Sequence, residues 1–408
     1  MYNATVYYFN PTCELAVANG SFSYMPPLLL QEMESDLSIL PFAFGTEKDF
    51  ILTENPPSEI FLNSLKNAGL NLPRFCSLDE LESMPEGTFD TIVPWGWSPA
   101  AHFKLKNLKQ KCSEKFKTSP VFNWKTEHRL LYERSTSLNF LHEILNNNPP
   151  DWLIDQAMCG EKVESCDEID TMLSKHSSVV LKAPLSSSGR GIQIIRKSKL
   201  NASNKQWISG ILKHQNYLIA EPYLEKLIDL SFQFQVKDHS KVDYLGYSIF
   251  DTSSNGQYKG TFIHPDLRVL LPDENFTQLR EMIDATAGIL KEALLKSEYA
   301  KYYSGYLGVD ALIFRNQNRL MMQPCIEVNC RMNMGVLCLQ LENKIDKDTS
   351  GKFELSLIKP DEFDNDSAIG LKNELKFSNG KIISGYLPLA EQKPNKKFGA
   401  YINLGSAK

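Results

Sequence analysis

Val179 to Gly191 reads VVLKAPLSSSGRG, and the choice of fold class depends on how this stretch is built. Val179, Val180 and Leu181 form a short β-branched and apolar run, the pattern of a buried strand. Lys182 closes the run and Pro184 stops its regular ladder; Ser186, Ser187, Ser188, Gly189, Arg190 and Gly191 follow. Serines and glycines let backbone N–H groups turn towards one point, where a polyphosphate can accept their hydrogen bonds. Ile192, Ile194 and Ile195 then resume an alternating strand, so the loop joins two strands. A P-loop or a dinucleotide fingerprint opens a helix at that place, and neither fits. Taken alone, the loop can equally be a flexible hairpin tip.

A second region supplies carboxylates. Gly308-Val-Asp310-Ala-Leu-Ile-Phe314 reads as a strand, Arg315 to Asn318 as a polar turn, and Leu320 to Val328 as a second strand ending in Glu327-Val-Asn329-Cys-Arg331. Two strands joined by a short polar turn predict an antiparallel hairpin. Glu327, Asn329 and Arg331 alternate onto one side, and Asp310 on the neighbouring strand can point into the same space. Two carboxylates and an amide oxygen are hard donors suited to Mg²⁺ shared with phosphates, and Arg331 adds a fixed cation for an anionic intermediate. A solvated strand face with an ordinary acid–base pair is the plainer alternative.

Between the two lies Tyr217-Leu-Ile-Ala220, strand-like, followed by Glu221-Pro222-Tyr223-Leu224. Pro222 removes one N–H and leaves neighbouring backbone groups open to a ligand. Apolar residues beside a carboxylate describe a slot for a flat base, and Asp229 follows on the approach to the alternating strand Phe232 to Val236. A solvated loop acid is the competing reading of Glu221.

In this order, Lys182 with SSSGRG, Glu221-Pro-Tyr-Leu, Gly-Val-Asp310 and Glu327-Val-Asn329-Cys-Arg331 resemble the ATP-grasp superfamily over residues 120–340. The resemblance implies a nucleotide held between two α+β subdomains, with the glycine loop over its phosphates. It implies that Lys182, Ser186, Ser187, Ser188, Gly189 and Gly191 meet phosphate, and that Glu221, Pro222, Tyr223, Leu224 and Asp229 line the nucleoside side. It further implies that Asp310, Glu327 and Asn329 bind Mg²⁺ or Mn²⁺, and that Arg331 and Lys182 support the chemistry. The superfamily carries another phosphate-binding lysine ahead of the loop. Lys125 is the closest match, with Trp124 in place of the usual aspartate and Arg129 as a competitor.

The rest of the chain agrees with an enzyme of several domains. Its 408 residues carry 44 Lys plus Arg against 49 Asp plus Glu, which gives no basic face for nucleic acid. No run approaches a membrane span, no leader peptide is apparent, and the eight scattered cysteines fit reduced thiols in a cytoplasmic protein. Residues 1–120 alternate strand and helix patterns, predicting a small Rossmann-like α/β domain with a parallel sheet. Its strand ends place Asn10-Pro-Thr-Cys-Glu14 and Trp95-Gly-Trp97-Ser98 on one rim, a candidate substrate site, although the tryptophans suit packing equally well. Residues 121–213 and 214–345 are assigned to the two ATP-grasp subdomains, the first with the glycine loop and the second with the metal set. Residues 346–408 are assigned to strands that cover the core. Asp273 to Leu295 carries one apolar stripe and predicts a structural helix. The chemistry implied is an ATP-dependent ligation of a small-molecule or peptide carboxylate to an amine or similar nucleophile through an acyl phosphate. A kinase on the same fold, or a nucleotide-binding regulator without turnover, stays open.

Overall fold

Short apolar strands separated by helices have one economical arrangement, a parallel sheet, and the first part of the chain adopts it. The computed structural model describes residues 3–186, 191–196, 199–253, 256–357 and 373–405. Strands β1 (Ala4–Tyr8), β2 (Phe50–Leu52), β3 (Arg74–Cys76) and β4 (Phe89–Pro94) pair in parallel in the order β3-β2-β1-β4. The order reverses direction between β1 and β4, so the crevice beyond their carboxyl ends is the switch point where such sheets take ligands.

A second, four-stranded sheet holds the glycine-loop region. It comprises β5 (Glu161–Val163), β6 (Val179–Lys182), β7 (Ile192–Ile195) and β8 (Leu218–Pro222) in the order β5-β8-β6-β7. β6 and β7 pair antiparallel, with Lys182 opposite Ile192, so the loop does join two strands. Helices Cys166–Lys175 and Ala202–Gln215 supply Ile169, Leu173 and Ile208 to the small apolar core of this layer.

The third sheet is the largest. Its strands are β9 (Lys226–Asp238), β10 (Lys241–Thr252), β11 (Tyr258–Ile263), β12 (Gly305–Asn316), β13 (Arg319–Asn329), β14 (Gly351–Leu357), β15 (Lys376–Ser378), β16 (Lys381–Pro388) and β17 (Phe398–Leu404). They run in the order β13-β12-β9-β10-β11-β14-β17-β16-β15, so the last strands of the chain extend this sheet. The helix predicted over 273–295 spans Phe276–Lys296 and buries Leu279, Ile283, Ala287, Leu290 and Leu294. Helix Arg134–Leu145 also lies on this sheet: Val328 N–H donates to Ser137 Oγ at 3.0 Å, and Phe140, Leu141 and Ile144 enter the core. Among the described residues no helix is long and apolar enough to cross a membrane.

Candidate active site

The β12–β13 hairpin sets Asp310 directly opposite Glu327, and Gly308 opposite Asn329. Directly opposed residues share one face of an antiparallel pair, so the alternation read from the sequence gathers both carboxylates and the amide on one side. Asn329 Nδ2 donates to Asp310 Oδ2 at 3.0 Å, and Arg331 Nη2 donates to Asn329 Oδ1 at 3.0 Å. Burial, and then the neighbouring negative charge of Glu327, push the Asp310 carboxyl up to about 6.

Two buried cations stand across from this set. Lys182 is 4 % exposed and its Nζ lies 2.6 Å from Glu221 Oε2. Glu221 sits on β8, whose residue Ala220 is paired with Leu181 on β6, so sheet register brings the two charges together. The other cation, Arg134, went unrecognised in the sequence. It opens helix Arg134–Leu145 and is 4 % exposed. Its Nη1 donates to Ala183 O and Ser186 Oγ, each at 2.6 Å, while Nη2 meets Glu327 at 3.1 and 3.2 Å to its two carboxylate oxygens. One guanidinium therefore ties the base of the glycine loop to an acid of the β12–β13 hairpin. The signal was present: a cation in the first turn of a helix opposes the helix dipole and needs an anion nearby.

The loop base is closed by backbone. Ala183 N–H donates to Gly191 O at 2.8 Å. A Cβ on Gly191 would lie 2.4 Å from the Ser186 Cβ and Oγ, so only glycine fits. Ser187, Ser188 and Gly189 lie outside the described residues.

The remaining expected residues fall in several places. Lys125 is exposed, and its backbone N–H donates to His128 Nδ1 at 3.0 Å. Arg129 is spent elsewhere: its Nη1 donates to Val17 O at 2.8 Å and Ala18 O at 3.2 Å, holding the end of helix Cys13–Asn19. Pro222 is the last residue of β8, opposite Val179. Tyr223 N–H donates to Ser178 O at 3.0 Å, so the free backbone donor expected directly after Pro222 is already paired. The Tyr223 ring receives the Arg196 guanidinium at 5.0 Å, and Leu224 packs against the main core. Asp229 accepts from Thr252 Oγ1 at 2.9 Å and pairs with Lys226.

The rim predicted at the first sheet exists and meets the hairpin. Asn10 Nδ2 donates to Gly96 O at 2.8 Å, and Gly96 N–H returns a bond to Asn10 Oδ1 at 3.3 Å. Met332 N–H donates to Trp95 O at 2.7 Å, and Tyr132 Oη donates to Trp97 O at 2.9 Å and Cys330 O at 3.0 Å. Trp95 and Trp97 are packing residues, 2 % and 6 % exposed; Trp95 meets Phe9 edge-on and Trp97 packs on His102. Burial holds the Cys13 thiol well above its ordinary range, so it is no thiolate nucleophile. A cavity of about 450 Å³ lined by Tyr247, His264, Arg280 and Asp284 lies elsewhere. Tyr247 is one residue from Ser248, which pairs with Ser231 opposite Asp310, so the cavity lies on the far face of the sheet.

No protein-family model matches the chain. A curated relative, the [butirosin acyl-carrier protein]–L-glutamate ligase of Niallia circulans, is 25 % identical over 309 residues. The match takes in 72 % of this chain but only 64 % of that relative's length. Among solved structures, the biotin carboxylase domain of the Hydrogenobacter thermophilus 2-oxoglutarate carboxylase, in complex with MgADP, ADP and bicarbonate, superposes with a TM-score of 0.52 at 15 % identity. That likeness covers 99 % of this chain and 86 % of the other. Biotin carboxylase of Campylobacter jejuni gives 0.51 at 11 % identity, covering 99 % and 88 %. An ADP complex of N5-carboxyaminoimidazole ribonucleotide synthetase gives 0.51 at 12 %, covering 99 % and 93 %. The likeness to these structures is one of fold, and it is the ATP-grasp fold that the order of the sequence motifs predicts.

Proposed function

We propose that the chain is an ATP-dependent ligase that activates a carboxylate as an acyl phosphate and passes it to an amine or similar nucleophile, releasing ADP and phosphate. The observation that carries this reading is the convergence of Asp310, Glu327 and Asn329 with the buried cations Lys182 and Arg134 and the half-buried Arg331. The ligase name of the Niallia circulans relative supports the reaction class.

The donor set fits a hard divalent cation. The set offers the carboxylates of Asp310 and Glu327 and the amide oxygen of Asn329. Asp310, Glu327 and Asn329 would hold Mg²⁺ through these oxygens, beside the phosphates of the nucleotide. When bound, Mg²⁺ supplies charge neutralisation to the phosphates.

The chain's own groups do the rest. Lys182 and Arg134 bind phosphate oxygens as charge-assisted donors, exchanging their present carboxylate partners for the nucleotide. Glu221, released from Lys182, faces the nucleoside side together with Tyr223 and Leu224. A substrate carboxylate oxygen attacks the γ-phosphorus and the bond to ADP breaks. The nucleophile then attacks the acyl carbon, loses its proton and expels phosphate. Arg331 donates to the charge that develops on the acyl phosphate. The work is positioning and neutralisation, which explains why the set holds no nucleophile–base pair. The test is phosphate release from ATP across pools of amino acids and amines, followed by hydroxylamine trapping. A hydroxamate from an accepted carboxylate is the expected result. A stable phosphorylated product with no hydroxamate overturns the ligase in favour of a kinase.

A further inference from the structure

Arg331 is held by three separate acceptors, and among the described residues the one anion hydrogen-bonded to it is Glu14, from the first part of the chain. Nη2 donates to Asn329 Oδ1 at 3.0 Å and Nη1 to Met332 O at 3.2 Å, both on its own segment. Nε donates to Glu14 Oε1 at 2.8 Å. Glu14 is 8 % exposed and lies in the first turn of helix Cys13–Asn19, directly after the β1 rim.

The approach of the two segments is fixed by more than this pair. A Cβ on Gly96 would stand 2.3 Å from Cys13 Sγ and 3.1 Å from Arg331 Cβ, so the β4 loop leaves no slack between them. With Met332 bonded to Trp95 O and Tyr132 bridging Trp97 O and Cys330 O, residues 330–332 are strapped to the first domain on both sides of Arg331. Hydrogen bonds then run without a break from Glu14 to Arg331, to Asn329 and to Asp310. A guanidinium fork has one plane; fixing Nε sets where both Nη groups aim.

We infer that Glu14 is a positioning residue that acts through Arg331, orienting its Nη edge towards the metal and phosphoryl groups. Through it the substrate-side domain is wired to the phosphoryl-transfer site. The inference rests on the reading of Arg331 given above as the donor to the acyl phosphate. Nucleotide contacts lie on other elements, so Glu14 affects turnover and leaves nucleotide binding alone. The specific demand is on Nε, and a neutral side chain of the same size holds it less firmly.

A double-mutant cycle on the full chain tests this, with Glu14→Gln, Arg331→Lys and both together, using the carboxylate that drives phosphate release in the unaltered protein. Gln keeps the size and one acceptor, so the fold persists; circular dichroism and binding of MgADP check it. Expected are a roughly tenfold lower kcat for Glu14→Gln with the KM for ATP unchanged, and a roughly 10²-fold loss for Arg331→Lys. The double variant should be no slower than Arg331→Lys alone, because Lys lacks the Nε that Glu14 holds. Losses that multiply would show that Glu14 does not work through Arg331, and would overturn the inference while the ligase reading stands. Wild-type turnover in Arg331→Lys instead overturns the parent reading, and the inference with it.

Discussion

The two hairpins that face each other in the site obtain their cations differently. In the β6–β7 hairpin, Lys182 lies on the strand itself and its partner Glu221 lies on the adjacent strand β8, so both charges are fixed by one small sheet. In the β12–β13 hairpin, Glu327 is answered by Arg134 from a separate helix, 193 residues away in sequence. The first pair is a property of one sheet. The second exists only when the helix, the glycine loop and the large sheet are packed together. A third buried cation marks the contrast with a purely structural arrangement: Lys109 Nζ donates to Phe122 O at 2.6 Å and bonds His102 Nδ1 at 3.0 Å, with no carboxylate between them.

If the comparison is right, truncating the two cations has unequal effects on the fold. Arg134→Ala removes the bonds to Ala183 O and Ser186 Oγ and leaves Glu327 without its partner, a loss of about 3 kcal/mol in denaturant unfolding. Lys182→Ala changes stability less, because Lys182 holds a single ion pair within one small sheet, whereas Arg134 also bonds Ala183 O and Ser186 Oγ. Its main effect is to weaken ATP binding by roughly 1.5–3 kcal/mol. Equal destabilisation by the two, or unchanged ATP affinity in folded Lys182→Ala, breaks the comparison.

Legibility from sequence follows the same divide. Asp310 opposite Glu327, the strand–loop–strand around Lys182, and the Asn10–Gly96 rim were readable because each depends on strand period, turn chemistry or the ends of a parallel sheet. Arg134, and the pairing of Glu14 with Arg331, were not, because the partners lie 193 and 317 residues apart and only tertiary packing joins them. Proximity to the motif pointed to Lys125 instead, which is exposed, and to Arg129, which holds the end of a helix.

The Lys109–His102 pair sharpens the contrast through pH. Burial, and then the charge of Lys109, push His102 down to about 3, and burial also lowers His128. The unfolded chain protonates these rings below about pH 6.5, whereas the folded chain keeps them neutral. The unfolded state therefore binds more protons, and stability falls as pH drops from about 6.5 towards 3. For His102 alone the loss at pH 5 is about 2 kcal/mol. Melting temperature measured between pH 7 and pH 5 should fall, and His102→Asn should flatten the slope without touching ATP affinity. An unchanged slope would remove this pair from the account.

The central claim is that the acids of the β12–β13 hairpin are metal ligands shared with a nucleotide and not one half of an ordinary ion pair. Titrating Mg²⁺ against ATP binding in the unaltered chain and in Asp310→Asn, Glu327→Gln and Asn329→Ala tests it most directly. The account predicts that each variant needs more Mg²⁺, Glu327→Gln most of all. If all three variants lose thermal stability yet bind ATP at the same Mg²⁺ concentration as the unaltered chain, the carboxylates are structural and the claim is contradicted.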